Sequence, residues 1–100
     1  MKVGQNIKLL RLVYDISVKE MSSYLMMSEH NYHKIERNAI GIKFEKATKI
    51  AGLFQITLDD LVNKNGIAIV AEIHQKGEIF LMQNKIRIKL NLSPPIKPTL

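Results

Sequence analysis

The sequence contains no cysteine, so neither a disulfide framework nor a thiolate metal site is open to it, and the fold must rest on its apolar core. It also lacks any run approaching the ~18 consecutive apolar residues of a membrane span. Its first segment mixes Lys2, Lys8 and Arg11 among apolar side chains, with neither the unbroken apolar block nor the small-residue cleavage site of a secretory signal. These absences predict a cytoplasmic protein with no membrane partner. Also missing are a Gly-rich phosphate loop, a nucleophile beside a base, and a pair of catalytic carboxylates. The expectation is therefore a protein that is not an enzyme and carries no cofactor. No internal repeat or low-complexity run is present. Proline occurs only at Pro94, Pro95 and Pro98, where the missing amide donor predicts an extended tail over 93–100.

What is present suits one small domain: 100 residues, 46% of them apolar. Fifteen Lys and Arg stand against nine Asp and Glu, a formal charge of +6 that favours a polyanionic partner such as nucleic acid. The excess is uneven, +2 over residues 1–63 and +4 over 64–100.

Up to Asn63 the apolar residues recur at helical spacing, and polar caps mark several starts. Ser17 with Glu20 forms a capping box, Ser28 precedes Glu29, and Thr57 precedes Leu58; each hydroxyl can accept an otherwise unpaired first-turn amide. Five helices are predicted at 4–14, 18–25, 29–36, 43–52 and 58–62. Beyond Asn65-Gly66 the period changes to two, most clearly in Lys85 to Leu92, which predicts a small antiparallel β element with strands at 67–73, 78–82 and 85–92; a broken helix over Val70 to Met82 is the weaker alternative. The expected fold class is thus mainly α with a C-terminal β element. A domain at 1–63 is followed by a β-rich dimerisation or docking segment at 64–92, because so short a meander cannot bury enough surface alone.

The informative stretch is Ser17 to Arg37. A capped helix, a tight connection at Met26-Met27-Ser28 and a second capped helix follow one another, which is helix-turn-helix spacing. With Val3 to Ile7, Leu10-Arg11, Ser17, Glu20-Met21, Ser28, Tyr32 to Arg37, Ile50-Ala51, Leu53 and Thr57 to Leu61 in one register, residues 3–63 resemble the lambda-repressor and Cro-like (Xre) family of helix-turn-helix DNA-binding domains. The departures are local. Val18 replaces a glutamine that touches a phosphate in the family, Met26 replaces the turn glycine, Asn38 replaces the glycine after the recognition helix, and Ile42 stands where proline is common.

The resemblance implies a five-helix domain with double-stranded DNA as partner, read by the helix at 29–36; pairing of two chains through the β segment, or through the fifth helix, makes the expected state a homodimer on a palindromic operator. On that helix Glu29, His30, Asn31, His33 and Lys34 point outward, while Tyr32 and Ile35 point inward. Asn31 suits adenine, His30 or Lys34 suits guanine, and Glu29 can accept from cytosine. Phosphate contacts are expected from Gln5, Asn6, Arg37, Asn38, Lys43 and Lys46. Arg11 and Glu36 fall on otherwise apolar faces, and the family's matching pair is a partly buried salt bridge. His30 and His33 lack a third convergent ligand, so no metal is expected. The rival class is a protein-interaction module such as an antitoxin, with the C-terminal segment holding a protein partner.

Overall fold

A computed structural model of the protein describes residues 3–75 and 85–90. These residues are mainly helical: α1 (Gly4–Val13), α2 (Val18–Tyr24), α3 (Glu29–Glu36), α4 (Phe44–Leu53), α5 (Leu58–Asn63), α6 (Gly66–Gln75) and α7 (85–89). The first five lie within one residue of the bounds that periodicity and capping predict.

The caps explain the agreement. Ser17 Oγ accepts from the Glu20 amide at 3.0 Å while Glu20 Oε1 accepts from the Ser17 amide at 2.8 Å, closing the capping box. Ser28 Oγ and Thr57 Oγ1 accept from the Asn31 and Asp60 amides. The helices end in a common way. The residue after each of the first four C-caps, Asp15, Met26, Asn38 or Gln55, has a left-handed backbone with φ of 55–58°. In every case its own amide and the one after it turn back onto the closing turn, as in Asp15 N–H to Leu12 O and Ile16 N–H to Arg11 O. This is one hydrogen-bonding solution to four helix ends, reached without glycine.

The core gathers Ile7, Leu10, Met21, Leu25, Tyr32, Ile50, Leu53 and Leu61, with Tyr14 stacked on Phe54 at a centroid distance of 5.5 Å. Within it α1 packs on α3, α5 and α6, and α2 packs on α3.

The expected β element requires correction. Residues 67–73 belong to α6, residues 85–89 are helical, and there is no strand among the described residues. The reason lies first in Asn65, at the boundary where the period changes. Its side-chain oxygen accepts from the Ile67 amide at 2.8 Å and its carbonyl accepts from the Ile69 amide, so it is a helix N-cap. In α7, alternation would bury Ile86, Ile88 and Leu90 together; instead Ile86 is buried, Leu90 is half-buried four residues on, and Ile88 is 76% exposed. Lys89 Nζ donates to Gly52 O at 3.0 Å, tying α7 to α4. The strand at 78–82 and the tail at 93–100 lie outside the described residues. No helix among the described residues is long and apolar enough to cross a membrane.

Candidate functional site

The side of α3 that faces solvent is polar throughout. Around α3, Glu29, His30, Asn31, His33 and Arg37 are exposed and Lys34 is half-exposed, while Tyr32, Ile35 and Glu36 are buried. Among the described residues, none of the outward side chains from Glu29 to Lys34 takes an intramolecular hydrogen bond. Five polar groups with no intramolecular partner therefore cover about half of the helix circumference, and the remaining face is fixed in the core.

The fixing is electrostatic as well as apolar. Arg11 Nε donates to Glu36 Oε2 at 2.7 Å, Nη2 donates to Oε1 at 3.2 Å, and Nη1 donates to Ile16 O at 3.0 Å. The Tyr32 hydroxyl donates to the same Glu36 carboxylate. Arg11 and Glu36 are 8% and 7% exposed, so this is a buried forked pair whose carboxylate takes a third hydrogen bond from Tyr32. The hydrogen bond to Glu36 holds the Arg11 guanidinium above its ordinary pKa, and burial, followed by the bond to Glu36, raises that of the Tyr32 hydroxyl. A second clamp lies beside it: the Gly4 amide donates to Asn38 Oδ1 at 2.9 Å, joining the start of α1 to the end of α3.

The neighbouring helices are also braced. Lys46 Nζ and Lys49 Nζ, both on α4, donate to the carbonyls of Leu25 and Tyr24, the unpaired acceptors at the end of α2, where a helix dipole favours cations. Lys49 also sits 4.5 Å from the centre of the Tyr24 ring. Ser22, buried in mid-α2, donates its hydroxyl to Lys19 O at 3.1 Å.

The six residues expected to meet phosphates divide cleanly. Gln5, Arg37 and Lys43 are exposed. Asn6, Asn38 and Lys46 are half-buried and bonded internally, Asn6 Nδ2 to the carbonyls of Leu61 and Lys64 at 2.9 and 2.8 Å. Sequence reasoning gave no sign of this second role, because a polar residue on a first helical turn looks the same whether it faces solvent or another helix. It also missed a groove of about 300 Å³ beside α3, lined by Met26, Met27, Ile35, Ile40 and Lys43 together with Asn31. Among the described residues, no three His, Cys, Asp or Glu side chains gather as a metal site would need.

No family model matches this chain, and none of the curated proteins or solved structures compared with it matches either.

Proposed function

We propose that this protein is a sequence-specific double-stranded DNA-binding transcriptional regulator with a lambda-repressor-like helix-turn-helix domain over residues 1–63. It acts, in this reading, as a cytoplasmic homodimer that represses from a palindromic operator. The observation that carries the reading is the solvent-facing polar side of α3, whose side chains make no intramolecular hydrogen bonds and are held outward by the buried Arg11–Glu36–Tyr32 cluster on the other face.

The chemistry follows from the residue types. A helix fits the major groove, where Asn31 can pair with adenine N6 and N7, His30, His33 or Lys34 can donate to guanine, and Glu29 can accept from cytosine N4. Gln5, Arg37 and Lys43 set the register on phosphates, aided by the first amides of α4, which no side chain caps. Asn6, Asn38 and Lys46 serve by holding the helices that present these groups. A two-fold dimer would place its recognition helices about 34 Å apart, one turn of DNA.

The test is selection from a random duplex library by the wild type and by a His30→Ala, Asn31→Ala, Lys34→Ala triple variant, each at two salt concentrations. Expected is a palindrome recovered by the wild type and lost by the variant, with residual binding of both falling steeply with salt. Recovery of no duplex would refute the reading. It would favour the second one, a protein-interaction module such as an antitoxin, for which the exposed Ile67 and Ile88 in the C-terminal segment speak.

A further inference from the structure

Beside the outward row of α3 lies a groove that the polar chemistry of base pairing does not use. Its walls are Met26 and Met27 from the α2–α3 turn and Ile40 from the loop before α4; Ile35 also lines it, and Asn31 opens into it. Met26 is 86% exposed and Phe44, next in sequence to the lining Lys43, is 67% exposed. Gly41, Lys43 and Lys46 complete the lining, the two lysines adding positive charge. An apolar surface beside a free carboxamide and flanked by cations is unusual on a face meant only for phosphates. It matches what an A·T pair displays in the major groove: an adenine edge that a carboxamide reads, an apolar C5-methyl on the thymine, and phosphates at the rim.

We infer that the groove formed by Met26, Met27 and Ile40 receives the C5-methyl of a thymine. That thymine lies in, or next to, the base pair whose adenine Asn31 reads. The inference rests on the DNA-binding reading above and adds to it a specificity residue off the recognition helix. Met26 stands at the turn position where the left-handed backbone favours glycine, so its side chain is not required by the fold there. A flexible, polarizable thioether suits a methyl-sized partner.

The experiment begins from the duplex that selection recovers. Each thymine in a half-site is replaced in turn by deoxyuridine, which removes the methyl and leaves every hydrogen-bonding group in place. Affinities are then measured for the wild type, for Met26→Gly and for Ile40→Ala. For the wild type, one replacement is expected to weaken binding about three- to fivefold, the effect of leaving one methyl group out of an apolar contact. Met26→Gly and Ile40→Ala should bind the thymine duplex more weakly by a similar factor and discriminate little between thymine and uracil at that position. Met26→Gly relieves a left-handed residue, so its loss of discrimination cannot be ascribed to unfolding, and thermal melts of all three proteins check this. A recovered duplex in which no thymine replacement matters, or a penalty that persists unchanged in both variants, overturns the inference while leaving DNA binding intact. Failure to recover any duplex removes the DNA reading itself, and the inference with it.

Discussion

Gly4 lies directly under the carbonyl of Glu36: a Cβ placed on Gly4 would come within 2.5 Å of that oxygen and 2.3 Å of the carbonyl oxygen of Ile35. The contact is backbone against backbone, so no side-chain rotation relieves it. Through it the first turn of α1 rests on the last turn of α3, the same end at which Arg11 reaches Glu36.

The same substitution at two glycines should therefore have opposite signs. Gly4→Ala forces α1 away from α3 and is expected to destabilise by at least ~2 kcal/mol, the range of an overpacked core. Gly52, near the end of α4, has nothing within 4 Å of the same position. Gly52→Ala should stabilise by about 0.5–1 kcal/mol, since alanine loses less backbone entropy in a helix. Urea midpoints of the two variants decide the matter; equal shifts would mean that the close approach of α1 to α3 is wrong.

The forked pair above Gly4 makes a second expectation. Arg11→Ala strands the Glu36 carboxylate, whose side chain is 5% exposed, and should destabilise by about 3–5 kcal/mol. Glu36→Ala should cost a similar amount by stranding the guanidinium. Replacing the whole cluster, as Arg11→Met, Tyr32→Phe and Glu36→Leu together, leaves no buried charge and should recover most of the loss. Non-additivity of that size across the cycle, measured by denaturant unfolding, is the signature of a coupled buried network.

Four helix ends close through left-handed residues other than glycine, and each stores strain of about 1 kcal/mol. Gln55 and Met26 are exposed, so little packing is lost when they change. Gln55→Gly and Met26→Gly should each raise the melting temperature, whereas Gln55→Val should lower it, because a β-branched side chain tolerates that conformation least. Asn38→Gly separates two effects: it relieves the backbone but removes the acceptor of the Gly4 amide, so it should gain less than the other two.

These expectations show where the sequence was legible. Ser17, Ser28 and Thr57 mark helix starts because a hydroxyl next to free amides has one local use, and the structure pairs each with the amide three residues on. The outward row of α3 was readable for a similar reason, since one helical period decides which side Tyr32 and Ile35 take. Residues 64–75 and 85–90 were not. Asn65-Gly66 is both a hairpin signal and a helix cap followed by a helical residue, and only the packing of α6 against α1 selects between them. In Lys85 to Leu90, alternation describes a strand equally well as it describes a helix that buries Ile86 and Leu90 alone. The tertiary duties of Asn6 and Lys46 depend on carbonyls that are distant in sequence, and no local pattern announces those.

The three tyrosines offer a test by pH. Burial raises the pKa of Tyr14, Tyr24 and Tyr32 above the ordinary value near 10, in Tyr32 with added help from its bond to Glu36. The folded protein thus keeps phenolic protons that the unfolded chain releases. The stability this represents is complete below about pH 10 and is lost as pH rises beyond it, so alkaline unfolding should begin there. In a titration followed by tyrosinate absorbance, the native protein should show no ordinary three-residue step near pH 10, while the protein in denaturant should. Single variants then separate the hydroxyls. Tyr14 is buried, and among the described residues its oxygen has no hydrogen-bond partner, so Tyr14→Phe removes an unsatisfied group and should leave stability unchanged or raise it by about 1 kcal/mol. Tyr32→Phe takes a donor from the buried Glu36 carboxylate and should lower stability by about 1–3 kcal/mol. If Tyr32→Phe left stability unchanged or raised it, the Tyr32 hydroxyl would not be part of the cluster that holds α3 in place, and the support for its outward face would rest on Arg11 alone.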